Sequence, residues 1–235
     1  GLNFSDNDYE STIITSNYDT DNFLYTYIYT LRDMDEQNMQ DFDGAPAHLL
    51  RMNFFNDWKQ TSHEFRVTSQ FSDKFQFIAG LYDWETDFDQ RWDVFDLFYQ
   101  LSRLGVPPWG SGRQGAEGYS DVFPWEDDVA GNNGQSQKTT STAAFFSGDW
   151  YVTDAWTLTA GFRWTEEEKD FVGGASAPGY YPLRGEPWPG IFNPYFAKQK
   201  WTEITPKVGA RYQFNDDVMF YGSYSEGFKS GGFFA

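Results

Sequence analysis

The stretch Thr153-Asp-Ala-Trp-Thr-Leu-Thr-Ala-Gly-Phe-Arg-Trp-Thr-Glu-Glu-Glu-Lys-Asp-Phe171 decides the fold. Trp156, Leu158, Ala160, Phe162 and Trp164 alternate with Thr157, Thr159, Gly161, Arg163 and Thr165. Successive side chains leave a pleated backbone on opposite faces, so a period of two predicts a strand with one apolar and one polar face. Two architectures accept such a strand. A soluble sandwich buries the apolar face against a second sheet, whereas a transmembrane barrel turns it to lipid and the polar face to a wet lumen.

Composition bears on that choice. Aromatic residues make up 21% of the chain and all hydrophobic types together 40%, so Phe, Tyr and Trp outnumber the aliphatic residues on which a soluble core leans. Two aromatic girdles at membrane interfaces use rings in this way. The chain has no cysteine, which excludes disulfides and thiolate metal sites. No apolar run approaches the roughly 20 residues of a spanning helix. A net charge of −18 argues against a nucleic-acid partner, whose phosphates would be repelled. Acidic residues gather in expected loops, among them Asp33, Asp35, Glu36, Asp41, Asp43, Glu117, Asp121, Glu126, Asp127 and Asp128. They read as a solvated surface or as a cation-attracting pore mouth.

A weak repeat organises the chain. "SDKFQFIAGLY" from Ser72, "TDAWTLTAGFR" from Thr153 and "NDDVMFYGSYS" from Asn215 align without gaps as a polar turn, a large residue, and alternation through a small pair. Each is the second arm of a hairpin whose first arm precedes it, at 63–71, 141–152 and 202–214. An aromatic strand at 22–32 and a shorter one near Tyr9–Tyr18 bring the total to about eight strands. The connections alternate between a few residues and long segments, roughly 33–60, 89–138 and 171–199. Nine of the ten prolines fall in the long ones, and only Pro206 lies inside a strand, where it predicts a bulge or weakened pairing. Short turns at one end and long loops at the other give the layout of an outer-membrane barrel, with periplasmic turns and extracellular loops. The face of Trp156, Leu158, Phe162 and Trp164 is then lipid-facing. Glu64, Arg66, Arg163, Glu203, Lys207 and Arg211 are lumen-facing and are expected to make a cross-strand charge ladder and plug contacts in preference to a binding site.

Four segments also resemble one family. "FYGSYSEGFKSGGF" (220–233), "HEFRVTSQFSDKFQFIAGLYDWETDF" (63–88), "AAFFSGDWYVTDAWTLTAGFRWTEEEKDF" (143–171) and "QDFDGAPAHLL" (40–50) are similar, in order, to segments of TonB-dependent outer-membrane receptors. The resemblance implies an antiparallel transmembrane β-barrel of about 22 strands with an N-terminal plug. Residues 1–235 then form a partial barrel domain of about eight strands, a middle slice without the plug, in place of a complete eight-stranded barrel. It also implies a bacterial outer-membrane location and receptor-mediated uptake of a scarce large nutrient, such as a ferric siderophore. The partners it implies are outer-membrane lipid, the receptor's own plug, the TonB complex reached through the missing N-terminal part, and a small-molecule or metal-chelate ligand.

Enzyme-like constellations are weak. His48 and His63 lack paired ligand spacing, and Glu166, Glu167 and Glu168 alternate faces, so no metal, cofactor or catalytic set is expected. Candidate ligand contacts are the expected loop aromatics Trp109, Tyr119, Trp125, Tyr181, Trp188 and Tyr195, whose rings give large contact area at low entropic cost. The same rings fit the alternative of a secreted carbohydrate-binding or glycoside-hydrolysing β-sandwich, which detergent dependence would separate from a barrel.

Overall fold

The computed structural model describes residues 3–41, 51–70, 72–95, 129–176 and 195–233. They form one sheet of eight antiparallel strands in sequence order: β1 (Phe4–Asp19), β2 (Phe23–Asp41), β3 (Arg51–Ser69), β4 (Phe75–Phe95), β5 (Val129–Tyr151), β6 (Trp156–Ser176), β7 (Tyr195–Gln213) and β8 (Met219–Ser225). Every neighbour pair is a hairpin, and the sheet does not close on itself.

The tight turns share one device. Ser72, Thr153 and Asn215, which align in the repeat, each accept a backbone N–H two residues on: Lys74 N to Ser72 Oγ at 3.1 Å, Ala155 N to Thr153 Oγ1 at 3.2 Å, Asp217 N to Asn215 Oδ1 at 3.0 Å. Such side-chain turns give a tight reversal its backbone partner locally. Sequence reading missed a fourth copy. Thr20-Asp-Asn-Phe23 reverses β1 into β2, and Thr20 Oγ1 accepts Phe23 N at 3.0 Å. The shared signal is Ser, Thr or Asn followed by Asp and, two residues later, a large apolar side chain.

Two of the three small pairs have a packing cause. A Cβ at Gly80 would stand 2.7 Å from the Phe65 carbonyl oxygen, and one at Gly161 would stand 2.7 Å from that of Phe146. Backbone approach on that scale leaves room only for hydrogen.

The strands run further than alternation predicts. Residues 33–41 and 51–60 continue β2 and β3, residues 89–95 and 129–138 continue β4 and β5, and β6 extends to Ser176. The rest of the expected loops, 42–50, 96–128 and 177–194, lies outside the described residues. Asp33, Asp35, Glu36 and Asp41 therefore belong to β2 and not to a loop. Backbone ladders need no apolar side chains, so paired strands continue where hydrophobic alternation has ended. The other nine prolines lie outside the described residues.

Pro206 is the exception that was expected, and its effect is one-sided. It sits opposite Phe162 in β6, and that ladder continues unbroken on both sides. Its carbonyl points to β8 and accepts Glu226 N at 3.0 Å. The missing N–H therefore lies on the β8 side, where pairing stops at Lys207–Ser225. The chain beyond crosses to β6 and β7: Ser230 Oγ donates to Glu167 at 2.5 Å, Lys169 Nζ donates to Gly231 O at 2.8 Å, and Phe233 packs 5.4 Å from Phe171.

Candidate functional site

The register sorts the side chains into two surfaces. Phe65, Leu81, Ala144, Trp164 and Ile204 stand opposite one another along one row, and Val67, Ala79, Phe146, Phe162 and Pro206 along the next. Trp156, Leu158, Phe162 and Trp164 thus share one continuous aromatic face. Its rings meet across strands: Phe77–Phe146 at 5.7 Å, Phe146–Phe162 at 6.3 Å and Trp156–Tyr212 at 4.7 Å. No other described residues cover them. Phe162 keeps 49% of its surface exposed and Leu81 and Ile204 keep 61% each, while Ala143 and Phe171 are the only buried hydrophobic residues among those described. A sandwich would bury this face, so the sandwich alternative fails on exposure.

The aromatic band is bounded. From Ile204 to Phe214, both exposed, ten residue steps cover about 33 Å of strand, or about 25 Å of height at a tilt of about 40°. Beyond it the same face turns ionic. Lys138 pairs with Glu85 at 2.8 Å, Lys198 with Glu168 at 2.7 Å, Lys200 with Glu166 at 2.5 Å and Lys59 with Asp33 at 3.7 Å. The hydrogen bond to Glu85 holds the Lys138 ammonium above its ordinary pKa. In this belt Asp8, Asp35, Asp57 and Asp89 stand directly opposite one another across four strands. His63 lies on the aromatic face, its Nδ1 2.8 Å from the Tyr27 hydroxyl and its ring 5.1 Å from that of Tyr29, which accounts for it as a packed side chain. Glu166 and Glu168 face the lysines, whereas Glu167 faces the other way, toward Ser230.

The second surface is polar. It holds Glu64, Arg66, Arg163, Glu203, Lys207 and Arg211 by register. The expected cross-strand charge ladder is absent among the contacts of these side chains. Arg66 pairs with Glu64 on its own strand at 2.5 Å, Arg163 Nε donates to Thr165 Oγ1 at 3.1 Å, and Arg211 reaches Thr157 Oγ1 at 3.1 Å. The reason is register: opposite Arg66 stand Thr26 and Gly80, opposite Arg163 stand Phe145 and Thr205, and no carboxylate is placed across from either. Cross-strand ion pairs occur instead in the belt on the aromatic side.

Farther from the turns, the polar face carries a ladder of amides that the sequence does not announce. Gln135 Nε2 donates to Gln90 Oε1 at 2.8 Å, Gln90 Nε2 donates to Asn56 Oδ1 at 2.9 Å, and Asn56 Nδ2 donates to Glu36 Oε2 at 2.7 Å. Asn38 Nδ2 donates to the other Glu36 oxygen. Glu36, Asn56, Gln90 and Gln135 are exact register partners on β2, β3, β4 and β5, and with Asn7 of β1 they line a hollow of about 560 Å³. Of the predicted loop contacts, Tyr195 alone is described; it opens β7 in the same row, across Gly173 from Gln135, and packs edge-on to Phe171 at 6.2 Å. Trp109, Tyr119, Trp125, Tyr181, Trp188 and His48 lie outside the described residues. No group of metal-ligating side chains occurs among the described residues.

An uncovered aromatic band of membrane height, backed by a polar face and linked by tight turns at one end, is the wall of a membrane barrel. The family model described as TonB dependent receptor-like, beta-barrel matches residues 1–235. The chain belongs to this family of TonB-dependent receptors. It is a family of transport receptors, found in the outer membrane of Gram-negative bacteria. Comparison with curated proteins finds no match. Solved structures agree on the fold. The ferric yersiniabactin uptake receptor FyuA from Yersinia pestis has a TM-score of 0.68 at 14% identity, over 94% of this chain and 28% of its own length. The siderophore receptor PiuA from Acinetobacter baumannii gives 0.64 at 15% identity, over 95% and 32%. The ferric-catecholate import receptor Fiu from E. coli K12 gives 0.62 at 11% identity, over 95% and 33%. The chain thus spans about a third of the length of these receptors.

Proposed function

We propose that this chain is barrel wall of an outer-membrane receptor that imports a scarce, large nutrient with energy delivered through TonB. In this reading the aromatic face meets lipid, the ionic belt beyond it stands among lipid headgroups, and the polar face lines the lumen against a plug. The observation that carries it is the bounded, uncovered aromatic band, because in water such a surface would drive aggregation. A ferric siderophore is the proposed kind of cargo, in line with the structural similarity to a ferric yersiniabactin uptake receptor and a siderophore receptor. Membership of a family of transport receptors supports a transport role. The test is uptake by cells that carry the whole receptor. Uptake that is lost on deleting either the receptor or TonB supports the reading, and uptake indifferent to TonB contradicts it.

A further inference from the structure

We infer that the amide ladder is a binding surface for an uncharged ligand rich in hydroxyl or amide groups and with flat apolar faces. The inference rests on the reading of the polar face as a receptor lumen. Its chemistry comes from three observations. The ladder's hydrogen bonds all run toward Glu36; Gln90 and Asn56 each spend one N–H and one lone pair on their neighbours, and Gln135 spends one N–H. The second N–H and the second lone pair remain for a ligand, so the row presents donors and acceptors in alternation. A hydroxyl, which both donates and accepts, complements such a row.

Aromatic rows flank the ladder on the same face. Phe54 and Trp92 stand opposite each other on the loop side, with ring centres 6.1 Å apart, and Trp58 and Phe88 stand opposite each other on the turn side. Rings above and below a row of amides hold the apolar faces of a ligand while the amides bind its edge. Charge supplies the third observation. In the ladder row and the next row toward the loops, the described polar-face side chains include no lysine or arginine, and the one charge is the Glu36 carboxylate. Arg32 and Lys169 lie two polar-face rows nearer the turns. Arg91 also borders the hollow, but alternation turns it to the other face of the sheet, where its guanidinium lies 4.0 Å over the Phe55 ring. On the polar face a strongly anionic chelate would meet the Glu36 carboxylate and no described cation in these two rows, which disfavours it.

Two kinds of compound have this chemistry, a neutral oligosaccharide and an uncharged ferric tris-hydroxamate. The test uses the purified whole receptor in detergent. Titration calorimetry is run with a panel of neutral hexose and pentose oligosaccharides, with a ferric tris-hydroxamate, and with a strongly anionic ferric tris-catecholate. Binding by either neutral class, at least tenfold tighter than by the catecholate, is the expected result, and the arm that binds identifies the source. Gln90→Leu should weaken that binding tenfold or more at an unchanged urea midpoint. Gln135→Leu, at the ladder's free end, gives the same reading if Gln90→Leu fails to fold. Catecholate binding equal to or tighter than both neutral classes, no neutral binding, or ladder variants that bind normally would each overturn the inference. TonB-dependent uptake of the catecholate would overturn it while leaving the receptor reading intact, whereas TonB-independent uptake would remove the reading itself.

Discussion

Phe146 and Phe162 stand directly opposite each other across β5 and β6, their rings stacked at 6.3 Å and 29° on a face that no other described part of the chain covers. That pair lies inside the aromatic band, two residues along β7 from its Ile204 edge. If hydrocarbon surrounds it, Phe162→Arg should cost about 1–3 kcal/mol, between the midplane and interface costs of charge on the lipid face of a barrel. Thr159→Arg, on the polar face beside Asp149, which already accepts Thr159 Oγ1 at 2.6 Å, should leave folding nearly intact. Urea unfolding of the whole receptor in lipid vesicles reads both. Equal costs at the two positions would contradict the assignment of faces.

Gly161 and Gly222 separate packing from propensity. A Cβ at Gly161 meets the Phe146 carbonyl, whereas one at Gly222 meets nothing within 4 Å. Gly161→Ala should therefore destabilise by about 1–3 kcal/mol through overpacking. Gly222→Ala should stay within about 0.5 kcal/mol of the parent. The same unfolding measurement decides, and a tolerated Gly161→Ala would show that the strands part easily.

The turn device predicts a smaller loss. Thr153 Oγ1 accepts the N–H groups of Ala155 and Trp156, at 3.2 and 3.0 Å. Thr153→Ala should cost about 1 kcal/mol, the net worth of a typical hydrogen bond, and Thr153→Ser should recover most of it. Failure of serine to rescue would assign the loss to the threonine methyl.

The aspartate row predicts a gain. Asp35 stands between Asp8 and Asp57, and like charges directly opposite destabilise a sheet. Asp35→Asn should raise stability by about 0.2–1 kcal/mol at low ionic strength, and salt should shrink the gain. A loss that salt does not change would mean that Asp35 holds a partner stronger than the repulsion it feels.

Much of this wall is legible in the sequence, because period-two alternation carries both the strand and the division of its faces. Trp156 to Trp164 needed nothing more. Strand ends were hidden: residues 33–41 pair along their whole length without hydrophobic alternation, since backbone ladders are indifferent to side chains. The Thr20 turn was visible in kind but not matched to its three relatives. The amide ladder was out of reach, because Glu36, Asn56, Gln90 and Gln135 become neighbours only once three hairpin registers are fixed. A shift of one residue in any of them would send a member to the other face. The charge ladder failed for the same reason, since face alone does not say which residues stand opposite.

The central claim is that lipid covers the aromatic face, and cysteine scanning tests it most directly because the described sequence contains no native thiol to confuse the labels. Single cysteines at 157–162 in the whole receptor, each carrying a fluorophore, are placed in vesicles with a lipid-bound depth quencher. Labels at 158, 160 and 162 should be quenched, and those at 157, 159 and 161 spared. Equal quenching of both sets, or quenching confined to 157, 159 and 161, would contradict the account.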